Sequence, residues 1–236
     1  MTLNLSTTPL RGWFITGTDT EIGKTAITAG LTWALSRRGV RVAPVKPLAA
    51  GRQPVGDRLI NEDVQQLLAA QNLGLSEDEV GPCQLDTPCA PHIAARLEGR
   101  PLNRDALLQS VRRLQAKADC VLVEGVGGFR VPLLPGWDTA DFAVDLGLPV
   151  VLVVGLRLGC INHALLTAEA VRARGLTLAA WVGNRIDPNM PYVEDNLQAL
   201  QDGLNAPCWG VVPHRPQHDA AAIGAHLHPD FPKSPT

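Results

Sequence analysis

Residues 17–25 constrain this chain most, because they follow the order of a phosphate-binding loop, called the phosphate loop below. A short apolar run at residues 13–15 precedes it, and residues 26–38 continue with apolar side chains at helical spacing. A glycine turn between a strand and a helix directs backbone N–H groups at a polyphosphate, and the helix N-terminus adds positive partial charge. Lys24 and Thr25 occupy the positions that contact the outer phosphates and a phosphate-bound Mg²⁺. The sequence therefore predicts an ATP or GTP site at the start of the first helix.

One glycine of this loop is displaced. The usual pattern G-x-x-x-x-G-K-[ST] places glycine where this chain has Thr18, and the glycine comes one residue earlier, at Gly17. The alternative interpretation is a chance Gly-Lys-Thr at a helix start. The strand and helix patterns on either side favour the phosphate loop.

Charge and hydropathy exclude several classes of protein. The chain has 236 residues and a formal net charge of -2, which does not indicate a nucleic-acid-binding surface. No apolar run reaches the length of a membrane span, and residues 1–11 lack the pattern of a secretory signal. We therefore expect a soluble, cytoplasmic protein that binds neither nucleic acid nor membrane.

Apolar strand patterns alternate with helical patterns along the chain. They fall at residues 40–45, 120–123, 149–154, 178–182 and 209–212. This alternation predicts an α/β fold with a mostly parallel sheet and helices on both faces. We expect a single domain over residues 1–225 and a loosely ordered tail over residues 226–236. Residues 48–58 are predicted to form a loop, and residues 74–91 an irregular segment.

Three charged residues stand near predicted strand or helix ends, where ligands bind in parallel sheets. Glu124 follows an apolar strand and is placed like the acidic residue of a Mg²⁺ shell, or else caps a nearby loop. Asp63 belongs to a helix start, where a carboxylate is favoured with or without a metal. Lys46 ends a strand and either meets an anion or extends to solvent.

Several separated blocks resemble the dethiobiotin synthetases, the ATP-dependent ring-closing enzymes of biotin synthesis. The blocks are residues 17–25, Lys46-Pro47, Pro91-His92-Ile93, Val123-Glu124-Gly125, Gly127-Gly128, residues 158–164 and Trp181-Val182-Gly183-Asn184. The resemblance extends from about residue 12 to residue 214. It implies a P-loop NTPase-like fold, ATP as co-substrate with Mg²⁺, and 7,8-diaminopelargonic acid and CO2 as small-molecule substrates.

The resemblance also implies roles for individual residues. The ATP-binding positions are Thr20, Glu21, Ile22, Gly23, Lys24, Thr25, Glu124, Gly127, Asn184 and Pro213, with Asn184 at the adenine. The Mg²⁺ positions are Thr25, Asp63 and Glu124, and the catalytic positions are Thr20, Glu21, Lys24 and Lys46. The substrate positions are Lys46, Ala50, Leu158, Gly159, Cys160, Ile161 and Asn162. The last five would bind the substrate carboxylate from the second subunit of a homodimer.

Two features depart from the family pattern. Ala50 stands where many members have serine, so a hydroxyl contact is missing, and residues 188–196 match poorly.

An alternative function in the same fold superfamily is a dimeric ATPase switch of the partitioning type. Those proteins usually carry an extra lysine near the start of the phosphate loop, where this chain has Gly17-Thr18-Asp19.

Overall fold

The computed structural model describes residues 10–214 and 219–231, which form one domain built on a parallel sheet. The strands are β1 Gly12–Gly17, β2 Val42–Val45, β3 Ala49–Ala50, β4 Gln53–Val55, β5 Arg58–Ile60, β6 Gln84–Leu85, β7 Cys120–Glu124, β8 Pro132–Leu134, β9 Trp137–Asp138, β10 Val150–Gly155, β11 Leu178–Asn184 and β12 Cys208–Val212. The helices are α1 Lys24–Ser36, α2 Glu62–Ala70, α3 Glu77–Val80, α4 Pro91–Leu97, α5 Arg104–Leu114, α6 Thr139–Leu146, α7 Cys160–Ala173, α8 Val193–Leu204 and α9 Ala220–Gly224.

The central sheet has six strands in the order β12-β11-β10-β1-β7-β2, and all of its pairings are parallel. Successive residues of a strand face opposite sides of the sheet, so Phe14 and Ile15 belong to different hydrophobic cores. One core contains residues of α1 and α9, and the other contains residues of α2, α5, α6, α7 and α8. The predicted α/β architecture with helices on both faces is therefore confirmed. Among the helices of the described ranges, none has the length and apolar character needed to cross a bilayer.

The segments predicted as a loop and as irregular contain short elements. Residues 48–58 include β3 and enter the antiparallel hairpin of β4 and β5, and β3 pairs with β6 of the following segment. Helix α3 begins with a capping box, in which Ser76 accepts from the Glu79 N–H and the Glu79 side chain accepts from the Ser76 N–H. Both predictions are wrong in these places. The sequence there lacks apolar periodicity, but helix capping and strand pairing still give it regular structure.

The end of the described chain packs against the domain. Leu227 and Phe231 are buried in the same core as Trp13 and Trp209, and the His228 N–H donates to the Trp209 carbonyl at 2.7 Å. The predicted loose tail is therefore wrong for residues 226–231, because two apolar side chains anchor them. Residues 232–236 lie outside the described part of the chain.

Candidate active site at the phosphate loop

At two positions of the phosphate loop, neighbouring side chains come so close to the backbone that only glycine fits. A Cβ at Gly17 would lie 2.8 Å from the Ile22 Cδ1 and 3.0 Å from the Lys24 Cγ and Cδ, so the glycine leaves room for the lysine stem. Gly23 has φ of 83°, and a Cβ there would lie 2.3 Å from the Asn184 Nδ2. The displaced glycine of the sequence pattern thus has a packing reason. Gly23 is the N-cap of α1, so the loop opens into a helix N-terminus as predicted.

Lys24 is buried at the start of α1 and lacks a carboxylate partner in direct contact among the described residues. Its Nζ donates to the Asp19 carbonyl at 2.7 Å. Burial is the largest cause that lowers the pKa of Lys24 from 10.5 to about 8, the charge of Lys46 lowers it as well, and the carboxylates of Glu124, Asp63 and Asp19 oppose both effects. A desolvated cation next to exposed backbone is suited to bind an incoming polyanion.

The affinity for MgADP is expected to fall by about tenfold between pH 7 and pH 9, on the prediction that the Lys24 ammonium binds the phosphates. Its pKa of about 8 in the free protein means that the neutral form dominates at pH 9. Binding at pH 9 then requires uptake of a proton, whereas binding at pH 7 does not. Calorimetry in buffers of different ionisation enthalpy measures both quantities. Equal affinity at the two pH values without proton uptake would contradict the expectation.

Three oxygen-bearing side chains and one ammonium converge beside the phosphate loop. The Thr25 Oγ1 lies 2.8 Å from the Asp63 Oδ1 and 2.7 Å from the Glu124 Oε1. The Lys46 Nζ lies 2.6 Å from the same Glu124 oxygen and 2.9 Å from the Asp63 Oδ2. Glu124 ends β7, Lys46 follows β2, and Asp63 lies in the first turn of α2, where Asn61 is the N-cap. Neighbouring parallel strands thus bring together residues far apart in sequence.

The charges of this cluster compensate one another. Burial opposes the charged form of Lys46, but the adjacent carboxylates of Glu124 and Asp63 outweigh burial and raise the pKa of the lysine. Burial also opposes the charged form of Asp63, but the charge and hydrogen bond of Lys46, together with the Thr25 hydroxyl and the charge of Lys24, lower the pKa of that carboxyl. Lys46 is therefore charged and meets anions, and it does not extend to solvent.

The donor set fits a hard divalent cation. Thr25 has one hydroxyl hydrogen, so it can donate to only one of the two carboxylate oxygens within 2.8 Å. The Glu124 Oε2 is buried and has no hydrogen-bond partner in the described part of the chain. No group of three His, Cys, Asp or Glu side chains there is arranged for a metal ion. A Mg²⁺ ion held by a hydroxyl and two carboxylates, with phosphate and water oxygens completing its shell, suits this surplus of acceptors.

The phosphate loop and the charged cluster line one cleft of about 770 Å³, called the main cleft below. The residues predicted from sequence that line it are Thr20, Glu21, Gly23, Lys24, Thr25, Lys46, Ala50, Asp63 and Gly127. Glu124 lies buried beneath Thr25 and Lys46. Glu62 and Gln66 also line the cleft and were missed. Gln66 follows Asp63 by three positions and Glu62 by four, so it shares a helix face with each of them, which is a signal that helical periodicity offered.

Other predicted positions lie at the edges of this arrangement. The Asn184 Nδ2 donates to the Ile22 carbonyl at 2.8 Å, so this side chain braces the phosphate loop. Pro213 follows β12 and does not line the main cleft. The contacts of Asn184 and Pro213 with ATP stay predictions.

The five residues from Leu158 to Asn162 form the turn into α7, called the α7 turn below, and they do not line the main cleft. Gly159 is the N-cap with φ of 93°, Leu158 is 90% exposed and Cys160 is buried. Arg157 precedes this turn, and its guanidinium lies 2.6 Å from the Asp19 Oδ2 of the phosphate loop. Sequence reasoning missed this pair, since Arg157 carries no motif signal and Asp19, although part of the phosphate loop, was given no role of its own.

Comparisons with known proteins agree with this geometry. A family model described as an AAA domain matches residues 11–222. The ATP-dependent dethiobiotin synthetase BioD of Aromatoleum aromaticum is 52% identical over 217 residues, which cover 92% of this chain and 96% of that protein. The protein of the same description from Ralstonia nicotianae is 50% identical over 214 residues, covering 91% and 93%.

Solved structures with a similar fold are more distant in sequence. The septum site-determining protein MinD complexed with Mg-ADP from Pyrococcus horikoshii has a TM-score of 0.57 at 20% identity, and the match covers 91% of this chain and 86% of that one. MinD from Aquifex aeolicus has a TM-score of 0.55 at 20% identity, with the same coverage. These likenesses show the fold alone. The relatives that are half identical over nearly the whole chain show more, and the chain belongs to the ATP-dependent dethiobiotin synthetase family.

Proposed function

We propose that this chain catalyses the ATP-dependent carboxylation and ring closure of 7,8-diaminopelargonic acid with CO2 to dethiobiotin, releasing ADP and phosphate. The observation that supports it best is the convergence of Lys24, Lys46, Thr25, Asp63 and Glu124 at one end of the main cleft. Two lysines and an oxygen-rich cation site would place positive charge where two anions must react, which offsets the repulsion between them.

The proposed chemistry has three steps. One amine of the substrate adds to CO2 and gives a carbamate. A carbamate oxygen then attacks the γ-phosphorus of ATP, the bond to ADP breaks, and a carbamic-phosphoric anhydride forms. The second amine attacks the carbonyl carbon, the ureido ring closes and phosphate leaves. No side-chain nucleophile is required, so the protein acts through positioning and electrostatics.

The side chains divide this work. Lys24 would bind the outer phosphates, and Lys46 would contact both the carbamate and the transferring phosphoryl group, which offsets their repulsion. Backbone N–H groups of residues 20–25 would surround the triphosphate, and Glu21, exposed with φ of 58°, would face the diamine. Mg²⁺ would be held by Thr25, Asp63 and Glu124, and when bound it supplies positive charge to the phosphate oxygens. Ala50 offers no hydroxyl to the substrate.

We further propose a homodimer in which the α7 turn of one subunit binds the substrate carboxylate in the cleft of the other. The turn opens a helix of 14 residues, and its backbone N–H groups form an anion site of the kind found at helix N-termini. Its position outside the main cleft of its own chain supports the assignment across subunits. The cytoplasmic location expected from the sequence stays a prediction.

The test measures phosphate release from ATP in the presence of Mg²⁺ and bicarbonate, with and without 7,8-diaminopelargonic acid, while dethiobiotin is followed by mass. We expect phosphate release that depends on the diamine and matches the product one for one. Release that is indifferent to the diamine, with no product, would contradict the proposal and favour the ATPase switch.

A further inference from the structure

We propose that Arg157 is a positioning residue that couples the α7 turn to the phosphate loop through its ion pair with Asp19. The proposal rests on the proposed function, which assigns ATP to the phosphate loop and the substrate carboxylate to the α7 turn. It adds a physical connection between these two regions and predicts that the two ligands sense each other.

Asp19 accepts three hydrogen bonds, two from the phosphate loop and one from Arg157. Its Oδ1 accepts from the Thr20 N–H at 2.8 Å, and its carbonyl accepts from the Lys24 Nζ at 2.7 Å. Its Oδ2 accepts from the Arg157 guanidinium at 2.6 Å. Thr20 and Lys24 line the main cleft, whereas Asp19 does not. A shift of Asp19 therefore displaces Thr20, whose N–H its carboxylate accepts, and Lys24, whose ammonium its carbonyl accepts, and both residues line the main cleft.

The backbone of Arg157 is hydrogen-bonded to the α7 turn. Its carbonyl accepts from the Cys160 N–H at 3.0 Å, and Cys160 is buried as the first residue of α7. Leu158 and Gly159 lie between these two residues, so an anion bound at the turn acts on the segment that carries the guanidinium. The path from the turn to the phosphate loop thus runs through a backbone hydrogen bond and an ion pair.

The solvent exposure of Arg157 and Asp19 limits what their ion pair contributes to stability. The two side chains are 43% and 46% exposed, so the pair adds little to the free energy of unfolding. Its effect belongs to ligand binding, because it fixes the orientation of the phosphate loop before ATP arrives. Coupling between two ligands is reciprocal, so each changes the affinity of the other by the same factor.

The test measures the Kd of a non-hydrolysable Mg-ATP analogue by calorimetry, with and without 7,8-diaminopelargonic acid. The variants are Arg157→Met, Asp19→Asn, their combination and Arg157→Lys. We expect each of the first two to weaken analogue binding by about 5-fold and to reduce the effect of the diamine on that affinity, leaving only the part that passes through Lys46. The double variant should match the single variants, and Arg157→Lys should restore part of the coupling.

Arg104→Met is the matched control, because Arg104 forms an exposed ion pair with Asp145 and does not line the main cleft. It should leave both the affinity and the coupling unchanged. Additive effects of the two single variants, or coupling of wild-type strength in Arg157→Met, would overturn the proposal. These outcomes are distinguishable from failure of the proposed function, in which wild-type protein forms no dethiobiotin.

Discussion

Replacement of Lys24 by alanine is expected to lower kcat by about 10³-fold while the protein stays folded. In the proposed mechanism the lysine supplies the charge nearest the outer phosphates, and in the free protein its only direct polar contact among the described residues is the Asp19 carbonyl. Because burial lowers its pKa to about 8, removal of its charge relieves an unfavourable desolvation and does not break an ion pair. The melting temperature should therefore change by only a few degrees.

Lys117→Ala is the control for this variant. Lys117 forms an exposed ion pair with Glu79 and does not line the main cleft, so its replacement removes the same charge from the surface. Steady-state turnover and thermal unfolding of both variants are the measurements. Turnover of Lys24→Ala within a few-fold of wild type would remove the phosphate loop from the mechanism.

The parallel sheet and the phosphate loop could be predicted from the sequence because each has a strong local signal. Buried strands such as β7 and β10 appear as uninterrupted apolar runs, and Gly23-Lys24-Thr25 follows a strand directly. The short elements between β2 and α4 have no such runs, although the capping box of Ser76 and Glu79 marks one of them. Predictions based on periodicity passed over it.

The segment between β2 and α4 helps to position the backbone of the candidate active site. The Lys46 N–H donates to the carbonyl of Val80, the last residue of α3, at 2.7 Å, and the Ala49 N–H donates to the Cys83 carbonyl at 2.9 Å. The backbone that presents Lys46 and Ala50 is thus held by residues more than thirty positions away. The sequence indicated which side chains carry charge, but contacts of this kind depend on pairing between distant segments and leave no periodic signal.

Replacement of Glu124 by glutamine is expected to weaken Mn²⁺ binding in the presence of ADP by at least about tenfold, with Mn²⁺ as a spectroscopic substitute for Mg²⁺. The variant removes one negative charge from a cluster of two carboxylates, the Thr25 hydroxyl and Lys46. It also leaves the buried Lys46 with Asp63 as its remaining carboxylate partner, which costs about 3 kcal/mol of stability. Electron paramagnetic resonance of free Mn²⁺ measures the affinity, and thermal unfolding measures the cost.

Asp63→Asn separates the metal effect from the stability effect. The Asp63 side chain is 44% exposed whereas that of Glu124 is fully buried, so water already screens its attraction to Lys46 and its replacement should destabilise the fold less. Both variants should lose Mn²⁺ affinity, while Asp119→Asn, which removes a carboxylate charge from the exposed pair with Arg41, should not. If Glu124→Gln and Asp63→Asn kept wild-type Mn²⁺ affinity, the cluster would serve to neutralise Lys46 and not to hold a metal. The buried Glu124 Oε2, which no hydrogen-bond donor of the described residues contacts, argues for the metal.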